Sequence, residues 1–117
     1  MISPLASGVS AISAFSKKMN VTANNVANVN TDEFKKSRTT IQEGSFGGVQ
    51  PDVDVVDTPG FTKQVYENGE PREVETSNVD LAEELTESIA TQSSYKANLK
   101  TIQTADEMLG SLLDTIG

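Results

Sequence analysis

Residues 78–116, NVDLAEELTESIATQSSYKANLKTIQTADEMLGSLLDTI, decide the fold, because they repeat a stripe of residues at alternating spacings of four and three. This heptad pattern indicates a long helix that packs along another helix. The stripe comprises Leu81, Leu85, Ser88, Gln92, Tyr95, Leu99, Ile102, Asp106, Leu109, Leu113 and Ile116, widened by Ile89, Met108 and Leu112. At about 1.5 Å per residue the helix would be ~50–60 Å long, too long to be buried in a small globule. We therefore expect a partner helix, from the same chain or from a neighbour.

The start of this helix is predicted near residue 78. Ser77 can act as the N-cap, and Asp80 can reach back to it in the manner of a capping box. Glu83, Glu84 and Glu87 then place negative charge near the positive end of the helix dipole. A general acid and base pair could be imagined among these carboxylates, but we interpret them as solvated charges that compensate the dipole.

A second stripe with the same spacing lies near the N-terminus. Ser3 and Pro4 form a favourable helix opening, because serine can cap the free amides and proline at the first helical position sacrifices no hydrogen bond. The stripe comprises Leu5, Val9, Ile12, Ser16, Met19, Ala23 and Val26. The glycine, serines and asparagines between them each cost roughly 0.5–1 kcal/mol of helix propensity relative to alanine. We therefore expect this helix to be stable only when its stripe is packed.

The region between the helices, residues 38–76, contains most of the glycines and prolines and predicts a small β-rich insert. FTKQVYE and EPREVET flank Asn68-Gly69, which is a strong hairpin signal, and Pro71 favours an edge strand. Val53 and Val55 alternate with acidic residues as in a half-buried strand. The run DVDVVD at residues 52–57 lacks the glycine and distal glutamate of a calcium loop, so an exposed strand face is favoured over a metal site.

Composition and charge exclude several functions. The 117 residues include no histidine, cysteine or tryptophan, so the commonest general base, thiolate and zinc ligand sets are absent. The net charge of −8 argues against nucleic-acid binding. No apolar run is long enough to span a bilayer, and the N-terminus lacks the pattern of a cleaved signal peptide. The sequence predicts no cofactor and no metal.

The charge is also divided unevenly along the chain. Residues 1–38 carry five basic and two acidic side chains, whereas residues 39–117 carry four basic and fifteen acidic ones. The basic clusters Lys17-Lys18 and Lys35-Lys36 with Arg38 could touch anionic lipid. On an acidic chain, however, we expect them to pair with the acidic second helix.

Several segments resemble the axial proteins of the bacterial flagellum, the rod and hook family. ANNVANVNTDEFKKSR at residues 23–38 is similar to the segment that closes that family's N-terminal helix, and residues 78–116 are similar to its C-terminal helix, including NVDLAEEL and TADEML. GGV from Gly47 and YENGEP from Tyr66 are most similar to the short insert of proximal rod proteins. Where the family usually has glycine before the aromatic residue that follows Asn-Thr, this chain has Glu33, so we expect a differently shaped turn.

The resemblance implies a structural subunit without enzymatic activity. Members of the family leave the cytoplasm through the flagellar type III export apparatus without a cleaved signal peptide. Their terminal helices pair in a coiled-coil layer that stacks on copies of the chain and on other rod and hook proteins, forming the rod that crosses the periplasm. The resemblance implies no nucleic-acid partner and no small-molecule substrate.

The resemblance also places the assembly residues on the two stripes. They are Leu5, Val9, Ile12, Met19 and Val26 in the first helix and Leu81, Leu85, Tyr95, Leu99, Ile102, Leu109 and Leu113 in the second. Asn24, Asn25, Asn28 and Asn30 match the family's asparagine motif. Because each amide both donates and accepts hydrogen bonds, we interpret these asparagines as polar contacts between subunits and as terminators of the helix. A frayed, solvated helix end is the simpler alternative.

Taken together, these patterns predict a mainly α fold with a small β insert, in which two long terminal helices form a coiled-coil-like pair. We expect the N-terminal assembly helix at residues 1–30, the linker and insert at 31–77 and the C-terminal assembly helix at 78–117. A soluble helical-hairpin adaptor or regulator of flagellar export is the alternative function. The sequence leaves both open, because a heptad stripe does not identify the helix it packs against.

Overall fold

The computed structural model describes residues 3–117, which form two long helices and two β-hairpins. The elements are α1 (Pro4–Ala27), β1 (Ser37–Glu43), β2 (Val49–Val55), β3 (Thr62–Glu67), β4 (Glu70–Glu75) and α2 (Leu81–Ile116). The described chain is elongated, with extents of 81 × 25 × 18 Å. The predicted fold class, two long terminal helices with a small β insert, is confirmed. Neither helix within residues 3–117 has an apolar stretch long enough to cross a membrane.

Helix α1 begins and ends on side-chain hydrogen bonds. The Ser3 hydroxyl accepts from the Ala6 amide at 3.1 Å, and Pro4 occupies the first helical position, as the sequence predicts. At the other end the Asn28 side-chain amide donates to the Asn24 carbonyl at 2.8 Å. A carbonyl of the last turn, which lacks a helical partner, is thereby satisfied.

Helix α2 begins three residues later than predicted. Asp80, rather than Ser77, is the N-cap, and its carboxylate accepts from the Ala82 amide at 3.0 Å and the Glu83 amide at 3.3 Å. The Ser77 hydroxyl instead accepts from the Val79 amide at 3.2 Å. Between them, Asn78 is held by the insert, so the chain cannot turn into a helix before Asp80.

The two hairpins form separate two-stranded antiparallel sheets. The predicted turn at Asn68-Gly69 is confirmed: both residues have positive φ, 55° and 83°, as the type I′ hairpin turn requires. Sheet β1–β2 lies against α1, and its Val49 amide donates to the Ser10 hydroxyl at 3.2 Å. The prediction of half-burial for Val53 and Val55 is wrong, because both faces of this end of β2 are exposed.

Glu33 lies in a turn whose backbone favours glycine. Its φ is 61°, in the left-handed region, and its amide donates to the Glu75 carbonyl at 2.9 Å. A residue with a Cβ pays about 1–2 kcal/mol for this conformation. The glutamate therefore occupies a turn with the conformation that glycine adopts readily, and no different turn shape is needed to accommodate it.

We expect Glu33→Gly to raise the free energy of unfolding by about 0.5–1 kcal/mol, after the greater flexibility of glycine in the unfolded chain is allowed for. Urea denaturation followed by circular dichroism measures this change. Glu33→Ala is the matched control, since it removes the carboxylate but retains the Cβ, and it should change stability little. An equal gain from both substitutions would assign the effect to charge rather than to the backbone.

Candidate assembly surface

Helices α1 and α2 are antiparallel and touch through small and polar residues. Lys18 pairs with Glu87 at 3.0 Å, and Gly8 faces Ile102 near the opposite end of the contact. A Cβ added to Gly8 would lie only 2.7 Å from Ile102 Cγ1, so the glycine permits the close approach of the helices. The residues of this contact, the inner seam, are Gly8, Ala11, Phe15, Lys18 and Thr22 on α1 and Glu84, Ser88, Thr91, Tyr95, Asn98, Ile102 and Ala105 on α2.

Most of the large apolar residues predicted for the helix contact lie outside the inner seam. Leu5, Val9, Leu81, Leu85, Leu99, Leu109 and Leu113 are exposed, and Ile12, Met19, Val26, Tyr95 and Ile102 are half-buried. Only Tyr95 and Ile102 among them belong to the inner seam. Val9 is 55% exposed and Leu99 51%, values expected for surface residues rather than for a core. Their role in assembly stays a prediction.

These exposed residues form one surface on the helix pair. Each follows an inner-seam residue by one position, as Val9 follows Gly8 and Leu99 follows Asn98, and one position rotates a side chain by about 100° around the helix. Because the two helices are antiparallel, the same rotation brings both stripes to the same side of the pair. We call this surface the outer apolar face; it comprises Leu5, Val9, Ile12, Met19 and Val26 of α1 and Leu85, Ile89 and Leu99 of α2.

The β1–β2 sheet lies on the opposite side of α1. Its contacts use Ser10, which precedes the inner-seam residue Ala11 by one position, and Asn25. The sheet therefore covers the flank of α1 that faces away from the outer apolar face, and leaves that face uncovered.

Helix α2 continues beyond the start of α1. Residues 106–116, the overhang, are all exposed, and they extend about 16 Å at 1.5 Å per residue. A groove of about 590 Å³ runs along the junction, lined among others by Pro4, Leu5, Met108, Leu109 and Leu112. Two further apolar residues, Leu113 and Ile116, lie past this groove at 69% and 83% exposure.

The asparagine motif is used mainly within the chain. Asn25 is 1% exposed; its amide donates to the Ser37 carbonyl at 2.7 Å, and its carbonyl oxygen accepts from the Ser37 amide at 3.0 Å. Asn28 accepts from the Thr31 hydroxyl at 3.0 Å as well as capping α1. Asn24 and Asn30 are exposed. Contacts between subunits thus remain a hypothesis for Asn24 and Asn30, whereas Asn25 ties α1 to the first residue of β1.

A second asparagine, which the sequence did not single out, fixes the other end of the insert. Asn78 accepts from the Lys36 amide at 2.7 Å and donates to the carbonyls of Val56 at 2.8 Å and Thr58 at 2.9 Å. Asn25 and Asn78 therefore bond to adjacent residues, Ser37 and Lys36. The available sequence signal was a polar residue next to each helix end, which does not identify so distant a partner.

Ion pairs join the basic N-terminal part of the chain to α2, as the charge distribution predicts. Lys36 pairs with Glu83 at 3.0 Å, and Arg38 approaches the same carboxylate at 3.9 Å. The prediction that Glu84 is a solvated charge is wrong: it belongs to the inner seam and is 6% exposed. Helix packing buries this position even though its carboxylate lies in the acidic first turn.

Lys35 does not pair with α2 but with Glu75, at the base of the β3–β4 hairpin. Hydrogen bonds from Lys35 and from the Gly60 amide, at 2.7 Å, hold the pKa of Glu75 below its ordinary value. Gly60 itself lies so close to the Thr76 carbonyl that a Cβ there would be 2.1 Å from its oxygen. This junction joins the outer hairpin to the residues that precede α2.

Comparison with known proteins gives matches at both ends of the chain. Residues 5–35 match the family model described as flagella basal body rod protein, and residues 71–115 match the one described as the C-terminal part of the flagellar basal body rod FlgEFG protein.

Individual relatives are consistent with these two matches. The chain is 29% identical to the flagellar basal-body rod protein FlgC of Buchnera aphidicola from Acyrthosiphon pisum, over 86% of both chains. FlgC of Escherichia coli O157:H7 is 28% identical, again over 86% of both. The flagellar hook protein FlgE of Borreliella burgdorferi is 50% identical over 34% of this chain but only 9% of its own length. The likeness to FlgC thus covers most of the chain, and that to FlgE is local.

Proposed function

Because the chain belongs to the family of flagellar basal-body rod proteins, we propose that it is a structural subunit of the rod, of the proximal type, which polymerises through its terminal helices. The similarity to FlgC, a rod protein of nearly matching span, supports the proximal type. We further propose that residues 1–30 and 78–117 act as the assembly unit and residues 31–77 as an insert on its side.

The outer apolar face is the observation that carries this proposal. Soluble monomers rarely expose a continuous apolar surface, and such a surface commonly marks a protein interface. Here the large apolar residues point outward from the helix pair, while the contact inside the chain uses Gly8, Ala11 and Thr91. This arrangement leaves the strongest hydrophobic driving force for association with other subunits.

The same observation argues against the soluble adaptor. A self-contained hairpin would gain most by burying its leucines between its own helices, since about 25 cal/mol is gained per Å² of apolar surface buried. Leu85 and Leu99 instead face away from α1. The rod subunit is therefore the favoured function.

The partners that we propose are copies of this chain, other rod and hook proteins and the flagellar type III export apparatus. Export would deliver the chain from the cytoplasm to the periplasm-spanning rod without a cleaved signal peptide. A structural role requires no enzymatic activity, nucleic acid or small-molecule substrate.

The proposal is tested by purifying intact hook and basal-body complexes from the source organism, washing them with concentrated salt and identifying their subunits by mass spectrometry. We expect the chain to be retained with the other rod proteins, because apolar contacts are not weakened by salt. If all other rod proteins are recovered and this chain is missing, the rod function is rejected and the soluble adaptor gains support.

A further inference from the structure

The inner seam of α2 does not end where α1 begins. Its four-and-three spacing runs through Ala105 into the overhang at Leu109, Leu112 and Ile116. Ser3 caps α1, so α1 itself does not accompany this part of α2. The residues also change from small to large, and Leu109 and Leu112 are 51% and 58% exposed. The overhang thus presents a helix-packing stripe without a helix from its own chain beside it.

Charge distinguishes the helices that could occupy this stripe. The overhang carries Asp106, Glu107 and Asp114 and no basic residue. Two overhangs placed side by side would therefore repel each other. Helix α1 carries Lys17 and Lys18 and no acidic residue, so its charge is opposite to that of the overhang.

The exposed stripe of α1 provides a matching apolar surface. Leu5, Val9 and Ile12 follow the spacing of four and three that the overhang also has. At 1.5 Å per residue α1 is ~36 Å long, so an overhang of ~16 Å fits along its N-terminal half. Leu5 and Val9, both exposed, lie in that half.

We infer that the overhang of one copy packs along the N-terminal half of α1, on the outer apolar face of a second copy. This inference rests on the proposed rod function and adds the identity and orientation of the partner surface. The contact joins two different surfaces, so each subunit keeps one free overhang and one free α1 surface. Such a head-to-tail contact leads to an open chain of subunits rather than to a closed dimer.

Two single substitutions inactivate the two surfaces separately. Leu112→Asp places a charge in the overhang stripe, and Val9→Asp places one in the stripe of α1. Both positions are exposed, so each variant should fold, which circular dichroism can verify. Ser111→Asp and Ser13→Asp are matched controls, because they add the same charge on the same helices away from the proposed contact.

Sedimentation velocity over a range of concentrations tests the inference on the full chain. We expect the wild type and both serine controls to form species that grow with concentration, and each single variant to remain monomeric. An equimolar mixture of Leu112→Asp and Val9→Asp should form a heterodimer and nothing larger, because the intact α1 surface of the first can bind only the intact overhang of the second.

A wild-type chain that stays monomeric at several hundred micromolar would overturn the inference, as would a mixture of the two variants that fails to associate. Association of Leu112→Asp alone would show that the overhang is not the contact. None of these results affects recovery of the chain from basal bodies. A chain that is retained in the rod but monomeric alone therefore identifies another rod protein as the occupant and leaves the rod function standing.

Discussion

Chains that carry Leu99→Asp or Leu109→Asp are expected to fold but to be missing from the assembled rod. Both leucines are 51% exposed in the isolated chain, so an aspartate at either position meets water in the monomer. In an assembled rod the same carboxylate would be buried without a partner, which costs on the order of 3–5 kcal/mol. A cost of that size lowers the affinity of one contact by at least about two orders of magnitude.

The measurement is an immunoblot of purified basal bodies from cells whose own copy of the protein is replaced by the variant, combined with swimming in soft agar. Gln50→Ala is the control, because this exposed residue of the insert lies away from the helices' apolar stripes, and it should assemble normally. Variant protein must be present at normal levels in whole cells for the comparison to count. Normal assembly of a chain with both aspartates would reject the outer apolar face and the overhang as contacts of the rod.

Asn25→Ala is expected to lower the free energy of unfolding by about 2–4 kcal/mol. The substitution removes two hydrogen bonds and leaves the amide and the carbonyl of Ser37 without their partner. Each buried polar group that loses its partner costs about 1–3 kcal/mol. Since Asn25 is 1% exposed, water cannot simply take the place of its amide.

Urea denaturation of the purified chain measures the loss. Asn24→Ala is the matched control: it removes an exposed amide one position away, and the better helix propensity of alanine should leave stability unchanged or slightly higher. Asn25→Asp separates the two bonds, because a carboxylate can accept from the Ser37 amide but cannot donate to its carbonyl. Equal effects of Asn24→Ala and Asn25→Ala would contradict the assignment of Asn25 as the tie between α1 and β1.

This tie bears on assembly as well as on stability. Asn25 holds Ser37 to the end of α1, and Asn78 holds Lys36 to the segment that leads into α2. The insert is thus fixed to both assembly helices at one point. In a rod, where each subunit must repeat the same contacts, a fixed angle between insert and helices keeps the surfaces of neighbouring copies aligned.

The elements that the sequence predicted correctly depend on local chemistry. Ser3 and Pro4 start a helix because a hydroxyl and a fixed φ act on residues within one turn, and Asn68-Gly69 makes a hairpin because both residues tolerate positive φ. The two four-and-three repeats predicted two long helices for the same reason. These signals lie within a few residues of the structure they specify.

Only the tertiary structure decided which side of each helix turns inward. The sequence favoured the leucine stripes, because hydrophobicity is the strongest signal of a buried face. The helix pair instead uses Gly8, Ala11 and Thr91, because small side chains permit a close approach between backbones. The start of α2 was likewise decided at a distance, by the bonds from Asn78 to Lys36 and Val56. A sequence pattern specifies that a face will be covered, whereas the identity of its partner depends on contacts between residues far apart in the chain or in another subunit.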